Sequence, residues 1–356
     1  MEKRIGIVVI AIFLAMIGGA NAAPVYDRLV VFGDSLSDSG NVYHLTSTNP
    51  AYHPDPPPIV GSPSFQAYYM GRESNGPNWV DQLADRLHLP RATATLEGGS
   101  NYAYGSARSG FGTNERFPSY TYPPNPSLTV LPTGTQINAF AAREGHFKPT
   151  DLVTLWVGAN DFRDILLNLI TVPDVVNNIV QHVRKLNDLG ARTIVVPNQV
   201  DLSQPPYFRA TPYAALVHTL TLQFDANLAA QLNALAADPT ISARIVPVDE
   251  YSAMAKVFAD PGAYGFSNIT DPALTFDTGT GTFSEVPDVS DYFWYDVIHP
   301  TTRGQAIFAE AASVALVPGP SPLALLAPGL ALIWICSKRG HRTTARALRK
   351  ADATTP

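Results

Sequence analysis

The stretch "RLVVFGDSLSDSGN", residues 28–41, decides how the rest of the sequence is interpreted. It begins as a short apolar run rich in β-branched residues and closes at Gly33, which is the pattern of a buried strand. A run of small polar residues follows at once. Small polar residues after a strand commonly form a turn. The stretch alone therefore leaves open whether Ser35 is a nucleophile or only part of a turn.

Segments of two kinds alternate along the chain after this stretch. Three more have the apolar composition of buried strands: residues 151–158, 191–198 and 243–249. Segments with helical spacing of apolar residues separate them or flank them: residues 77–87, 135–144, 172–190, 211–237 and a last helix after Arg303. Strands that are apolar on both faces and alternate with helices are typical of a parallel sheet covered by helices. The sequence therefore predicts a three-layer α/β/α sandwich with a central parallel sheet.

Both ends of the 356-residue chain are expected to be signals. Residues 1–23 combine a basic start, an apolar run and Ala-Asn-Ala, which is the layout of a secretory signal peptide. The run is short for a membrane span, which needs roughly 20 residues. We therefore expect an exported protein, secreted or associated with the cell envelope, with one large domain at residues 24–317.

The C-terminal segment, residues 318–356, contains an apolar stretch and then a basic cluster, and a Pro-rich hinge precedes it. A packed terminal helix is the alternative, but the basic tail would fit badly in a core. The segment resembles the PEP-CTERM sorting signal, although Gly319 stands where that signal usually has Glu. The resemblance implies transient membrane anchoring and recognition by a sorting protease.

The composition of the predicted domain excludes some classes of binding partner. Residues 24–317 hold 16 Lys and Arg against 28 Asp and Glu, a net charge of −12, so nucleic acid is not an expected partner. The single cysteine, Cys336, lies outside the domain, which therefore holds no disulfide. The eight histidines show no metal-binding spacing, and we expect neither a metal nor a cofactor.

Polar residues follow several predicted strands, where parallel sheets gather their active sites. Ser35 follows the first strand, Gly105 follows "GGSNYAY", Asn160 follows residues 151–158, and Asp296 and His299 stand in "DVIHP". Each has an ordinary structural explanation as a turn, a helix cap or a local polar pair. Together they supply a nucleophile, a base, a carboxylate to orient the base, and donors for an oxyanion.

At this point the sequence resembles the GDSL, or SGNH, hydrolases. The resemblance rests on "FGDSLSDSGN", "GGSNYAYGSAR", "GAND" and "DVIHPT" in that order, and on "GRESNG" between the first two. It covers most of residues 27–315. The Gly-x-Ser-x-Gly elbow of the α/β-hydrolases is absent from the sequence, which argues against that other scaffold.

The resemblance implies a role for each matched residue. Ser35 would be the nucleophile, His299 the general base and then acid, and Asp296 the carboxylate that orients it. The oxyanion hole would consist of the Ser35 N–H, the Gly105 N–H and the Asn160 side-chain amide.

Other polar residues receive lesser roles. We interpret Asp34 as a structural turn residue, and Asp38 and Asn41 as local hydrogen-bonding residues. Asp291 is a poorer triad candidate than Asp296, because eight residues separate it from His299.

The predicted function is a secreted serine esterase or lipase that hydrolyses carboxylic esters through an acyl-enzyme on Ser35. The family also includes acyltransferases, so transfer of the acyl group to an alcohol stays open. So does an inactive surface-binding module. The substrate is expected to be a small-molecule, lipid or carbohydrate ester, and its identity is not written in the sequence.

Overall fold

The centre of the computed structural model, which describes residues 26–56, 68–115, 128–277, 279–280 and 282–317, is a parallel sheet. The strands are β1 (Arg28–Gly33), β2 (Asn114–Glu115), β3 (Thr129–Val130), β4 (Asp151–Trp156), β5 (Thr193–Pro197), β6 (Arg244–Val248), β7 (Asn268–Pro272), β8 (Leu274–Asp277), β9 (Thr282–Glu285) and β10 (Tyr292–Trp294). Four of them form the sheet in the order β1-β4-β5-β6, and the other six form three small two-stranded pairs.

Helices cover both faces of this sheet. They are α1 (Asn41–Ser47), α2 (Trp79–Arg86), α3 (Thr133–Glu144), α4 (Phe162–Leu166), α5 (Val172–Asp188), α6 (Pro206–Arg209), α7 (Ala214–Ala237), α8 (Glu250–Ala259) and α9 (Thr302–Leu316). Helices α2, α8 and α9 pack together in one layer, and α3, α5 and α7 pack together in the other. The predicted α/β/α sandwich is confirmed for the described residues.

The sheet is buried on both faces because its strands carry almost no polar surface. Every residue of β4 and β5 is buried, and so are five of the six residues of β1. Large aromatic side chains fill the space between sheet and helices, among them Phe32, Trp79, Trp156 and Phe308, all fully buried. Burial of each such side chain stabilises the fold by roughly 1.5–3 kcal/mol.

The predicted elements are found, most of them with shorter bounds, although α3 begins two residues before the predicted residue 135. The helix predicted at residues 211–237 is α7, which begins three residues later, at Ala214, and ends at Ala237 as predicted; the short α6 precedes this segment. The helix predicted at residues 172–190 ends at Asp188, and Gly190 follows with a φ of 93°, a conformation that glycine adopts without steric cost. "GGSNYAY" forms isolated bridges rather than a strand: Asn101 pairs in parallel with Val31 of β1 and with Ala94.

The end of β1 is fixed in place from two sides. Gln136 of α3 accepts a hydrogen bond from the Gly33 N–H at 3.0 Å and donates to the Gly33 carbonyl at 2.9 Å. A Cβ atom added to Gly33 would lie 2.5 Å from the carbonyl oxygen of Trp156 on β4. Only glycine allows β1 and β4 to approach this closely just before Ser35.

The predictions for residues 1–23 and 318–356 lie outside the described residues. Within the part of the chain that the structure describes, no helix combines the length and the apolar character needed to cross a membrane.

Candidate active site

Ser35 lies in a tight turn directly after β1. The Asp34 carbonyl accepts hydrogen bonds from the N–H groups of Ser37 and Asp38, at 3.0 and 2.9 Å. The Asp34 side chain accepts from the Leu36 N–H at 3.1 Å. These bonds close the chain around Ser35, which is half-buried at the floor of a cavity. Asp34 is thus a turn residue, as predicted.

The structure brings Ser35, His299 and Asp296 together. The Ser35 Oγ lies 2.9 Å from the His299 Nε2, and the His299 Nδ1 lies 2.8 Å from Asp296 Oδ2. His299 and Asp296 are buried. With the Nδ1 proton donated to the carboxylate, the Nε2 lone pair faces the Ser35 hydroxyl, which is the tautomer that a general base requires.

The Asp-x-x-His spacing works because one loop serves both residues. Asp296 Oδ1 accepts from the backbone N–H groups of Ile298 and His299, at 2.8 and 2.7 Å, while Oδ2 faces the imidazole. Burial alone would raise the pKa of Asp296. The charge and hydrogen bond of His299 and the two backbone donors outweigh burial and hold this pKa below its ordinary value. The carboxylate therefore stays ionised beside the imidazole.

Asp291 lies apart from this group. It is exposed, in a 3-10 turn before β10, and its carbonyl accepts a hydrogen bond from the Ser267 N–H. The carboxylate at the His299 Nδ1 is that of Asp296.

Asn160 reaches the same cavity from the turn after β4. Its Nδ2 donates to the Ala107 carbonyl at 3.0 Å, which leaves the second amide hydrogen for another acceptor. Asn160 and Ser35 both line the cavity, as the sequence predicts for two oxyanion donors.

Gly105 does not have the predicted arrangement. Its N–H donates to Asp38 Oδ2 at 3.0 Å, so in this structure the N–H is directed to a buried carboxylate rather than to an oxyanion. The neighbouring residue, Ser106, lies in the cavity wall with a φ of 66°. The sequence predicted which segment approaches Ser35, but the direction of one N–H cannot be read from residue types.

Asp38 and Asn41 do more than form local hydrogen bonds, which corrects their predicted role. Asp38 accepts from three N–H groups at the start of α1 and also from Gly105. Asn41 donates to the carbonyls of Asn101 and Ala103, both at 2.8 Å. These two side chains therefore join the nucleophile turn to the segment that contains Gly105.

Two further residues contact the triad that the sequence analysis did not assign. The Tyr68 hydroxyl donates to Asp296 Oδ2 at 2.9 Å, and the Glu73 Oε2 lies 3.2 Å from the His299 Nε2. Burial, then the charge of Asp296 and the hydrogen bond to it, raise the pKa of Tyr68 well above its ordinary value, so the tyrosine remains a donor. Glu73 lies within "GRESNG" and Tyr68 lies three residues before it, so that motif marked the segment but not these contacts.

The cavity has a volume of about 720 Å³, within the range of small-molecule sites. Ser35, His299, Asp296, Tyr68 and Glu73 form one connected polar group in its lining. Apolar side chains form much of the remaining wall, among them Leu166, Leu202 and Phe208. Among the described residues, no group of three or more His, Cys, Asp or Glu side chains is arranged to hold a metal ion.

An α/β/α sandwich with a serine, a histidine and an aspartate joined at the carboxyl end of its first strand has the arrangement of a serine-nucleophile enzyme. The profile of the GDSL-like Lipase/Acylhydrolase family matches residues 29–312, and the chain belongs to this family.

Individual relatives share about a third or less of their aligned residues with this chain. The phosphatidylcholine-sterol acyltransferase of Aeromonas hydrophila is 31% identical over 261 residues, covering 70% of this chain and 66% of that protein. The esterase EstA of Pseudomonas aeruginosa is 28% identical over 353 residues, covering 89% of this chain and 51% of that protein. The chain thus spans less than two thirds of either relative. Among solved structures, the acetylxylan esterase Axe2 of Geobacillus stearothermophilus matches with a TM-score of 0.42 and 13% identity, covering 84% of this chain and 98% of Axe2.

Proposed function

We propose that this protein hydrolyses carboxylic esters through an acyl-enzyme on Ser35. The observation that carries the proposal is the continuous pair of hydrogen bonds from Ser35 through His299 to Asp296, at 2.9 and 2.8 Å, at the floor of a cavity. Membership of a family of lipases and acylhydrolases supports it.

The reaction begins with a proton transfer. His299 Nε2 takes the Ser35 hydroxyl proton as Oγ attacks the ester carbonyl, and the imidazolium then gives that proton to the leaving alkoxide. Water hydrolyses the acyl-enzyme by the same steps, with His299 again as base. The Ser35 N–H and the Asn160 amide stabilise the tetrahedral oxyanion. The Gly105 N–H joins these donors only when its hydrogen bond to Asp38 Oδ2 is broken.

The wall of the cavity supports an apolar acyl group in the substrate. Leu166, Leu202 and Phe208 offer apolar surface for a chain or ring in the same cavity that Ser35 and Asn160 line. The alcohol part is not determined by these contacts. Export and association with the cell envelope, predicted from residues 1–23 and 318–356, belong to the same proposal and rest on the sequence alone.

Acyl transfer is the second candidate. The name of the Aeromonas relative describes transfer from a phospholipid to a sterol, and transfer uses the same acyl-enzyme with an alcohol in place of water. Product analysis with and without an added acceptor alcohol separates the two. An ester product at the expense of free acid indicates transfer.

The test is covalent labelling of Ser35. A fluorophosphonate should label the wild-type protein and the control Ser37→Ala, and should fail to label Ser35→Ala. The Ser35 hydroxyl contacts His299, whereas the Ser37 hydroxyl accepts from the Trp79 side chain. The same three proteins are assayed on esters of increasing acyl length. Labelling that persists in Ser35→Ala, or an absence of turnover on every ester, rejects the proposal, and the latter favours an inactive binding module.

A further inference from the structure

Glu73 is the feature of the site that the proposed mechanism does not use. Its Oε2 lies 3.2 Å from the same His299 nitrogen that faces Ser35. The two side chains are buried together, with 11% of the Glu73 side chain and 4% of the His299 side chain exposed. His299 therefore contacts two carboxylates, Asp296 at Nδ1 and Glu73 at Nε2.

The residues on either side of Glu73 fix its position. Arg72 forms a two-point ion pair with Asp81 of α2, at 2.9 and 3.1 Å. Ser74 donates to the carbonyl of Pro300, the residue after His299, at 2.9 Å. Because Arg72 and Ser74 are both anchored in this way, the fold itself holds Glu73 against His299.

The chemistry of this contact depends on the charge of the imidazole. Neutral His299, with its proton on Nδ1, presents a lone pair at Nε2, and a carboxylate repels it. Protonated His299 presents an N–H at Nε2, and a carboxylate attracts it. An opposite charge this close favours the charged form of a titratable group.

We propose that Glu73 is a second carboxylate partner of His299, which stabilises the protonated imidazole and thereby sets the lower pH limit of the reaction. The inference rests on the proposed function. At low pH the Nε2–H donates to Glu73 and cannot accept the Ser35 proton. As the pH rises, Nε2 loses its proton to solvent and becomes a base. During turnover the proton passes from Ser35 to Nε2 to the leaving oxygen, and Glu73 keeps its own protonation state.

Other charged groups also lie around His299, and the Glu73 variants leave their residue types unchanged. Asp296 faces Nδ1 from the same loop. Asp34 faces the site from the turn after β1, where burial raises its pKa to about 7 although the Leu36 N–H and His299 favour its ionised form. Arg163 lines the cavity from α4. A difference between wild type and a Glu73 variant therefore reports the Glu73 charge.

The test is the pH dependence of kcat/KM for a soluble nitrophenyl ester, in the wild type and in Glu73→Gln. We expect the acid limb of the Gln variant to move to lower pH by about one to two pH units. The matched control is Glu285→Gln. Glu285 accepts a hydrogen bond from the hydroxyl of Tyr295, the residue before Asp296. The control therefore removes a carboxylate near the triad that makes no hydrogen bond to His299. Its acid limb should stay in place. An unmoved limb in Glu73→Gln overturns the proposal, because loss of a purely structural contact lowers activity at every pH alike.

A second measurement does not depend on turnover. The Nδ1 proton shared with Asp296 should give a low-field proton NMR signal, absent in His299→Ala, and its titration reports the protonation of Nε2. In Glu73→Gln this titration should move to lower pH by the same amount as the acid limb. A moved titration without ester hydrolysis rejects the proposed function and keeps the Glu73–His299 coupling. Hydrolysis with an unmoved titration rejects the coupling alone.

If Glu73→Gln does not fold, Glu73→Asp serves as a second variant, because its carboxylate is withdrawn from His299 by one methylene. Its shift should be smaller and in the same direction, and no shift there overturns the proposal.

Discussion

At the scale of single residues, Asn160 is the side-chain donor that the mechanism needs. Asn160→Ala should lower kcat by about 10²- to 10³-fold, because one oxyanion donor is lost while Ser35 and His299 remain in contact. The measurement is kcat on the best ester found. Asn178→Ala is the matched control, since the Asn178 amide donates at 3.0 Å to the Ser109 hydroxyl, outside the cavity. Full turnover by Asn160→Ala contradicts its assignment to the oxyanion hole.

Residue types predicted some of these contacts better than others. The Asp296 and His299 pair was readable because three residues separate them, and a short loop then holds both. The Glu73 and Tyr68 contacts were not readable, because they depend on how a segment more than 200 residues away packs against that loop. For Gly105 the sequence predicted the approach to Ser35, and the carboxylate of Asp38 decides where its N–H is directed.

At the scale of elements, the motif "GRESNG" acts as a brace between α2 and the start of α9. Asn75 Oδ1 accepts from the Thr302 N–H at 2.8 Å, so a side chain from a distant segment caps the helix that follows His299. Gly76 lies against the same residue, since an added Cβ would be 2.8 Å from the Thr302 Cβ. The motif therefore positions the histidine loop from outside the loop.

Loss of this cap should affect both stability and catalysis. Asn75→Ala should lower the free energy of unfolding by about 1–2 kcal/mol. It should also lower kcat by roughly tenfold, because His299 lies three residues before the unsupported N–H. Urea unfolding and initial rates measure the two effects. Asn75→Asp keeps the acceptor oxygen and should recover most of both. A variant Asn75→Ala with wild-type stability and rate would show that the brace is dispensable.

The boundaries of helices and strands were predicted only approximately, because hydrogen bonds from side chains in distant segments help to decide where an element begins. At the start of α9 the Thr301 hydroxyl accepts from the Gly304 N–H, and Asn75 from a distant segment accepts from the Thr302 N–H. The residues of the helix itself do not indicate this second partner. The sheet was more predictable, because strands buried on both faces must be apolar throughout. Their order in the sheet follows from packing, which the strands' own residues do not specify.

At the scale of the whole molecule, buried carboxyl groups dominate the expected pH dependence of stability. Burial raises the pKa of Asp34, Asp161 and Asp225 to about 7 and that of Asp38 to about 6. Burial, and then the charge of Asp249, raise the pKa of Glu250 well above its ordinary value. Neither Glu250 oxygen has a hydrogen-bond partner among the described residues. The native state therefore holds protons that the unfolded chain releases.

The sign of the effect follows from this difference. Between about pH 4, where the unfolded carboxyls ionise, and about pH 7, the native state binds more protons than the unfolded state. The free energy of unfolding should therefore fall as the pH rises, by up to about 1.4 kcal/mol per pH unit for each such group. Below about pH 4 the groups with lowered pKa, such as Asp296, act in the opposite direction. Maximum stability is expected at mildly acidic pH.

Glu250→Gln isolates one of these groups. The variant should be more stable than the wild type at pH 8, and the difference should vanish toward pH 4, because Gln has no charge to bury. Urea unfolding across this pH range measures it. Glu97→Gln is the control, since 52% of the Glu97 side chain is exposed. Parallel stability curves for wild type and Glu250→Gln would contradict the burial of a neutral carboxyl there.

The distance along the chain between Ser35 and His299 has a consequence for biosynthesis. Ser35 and His299 are 264 positions apart, at opposite ends of the described domain. A ribosome releases Ser35 well before His299, and α9 packs against α2, α8 and β6, which all precede it along the chain. A nascent or truncated chain therefore holds an unactivated serine. Under the proposed mechanism, Ser35 gains its base only when the loop that holds His299 packs beside the end of β1, and it loses that base when local unfolding displaces the loop.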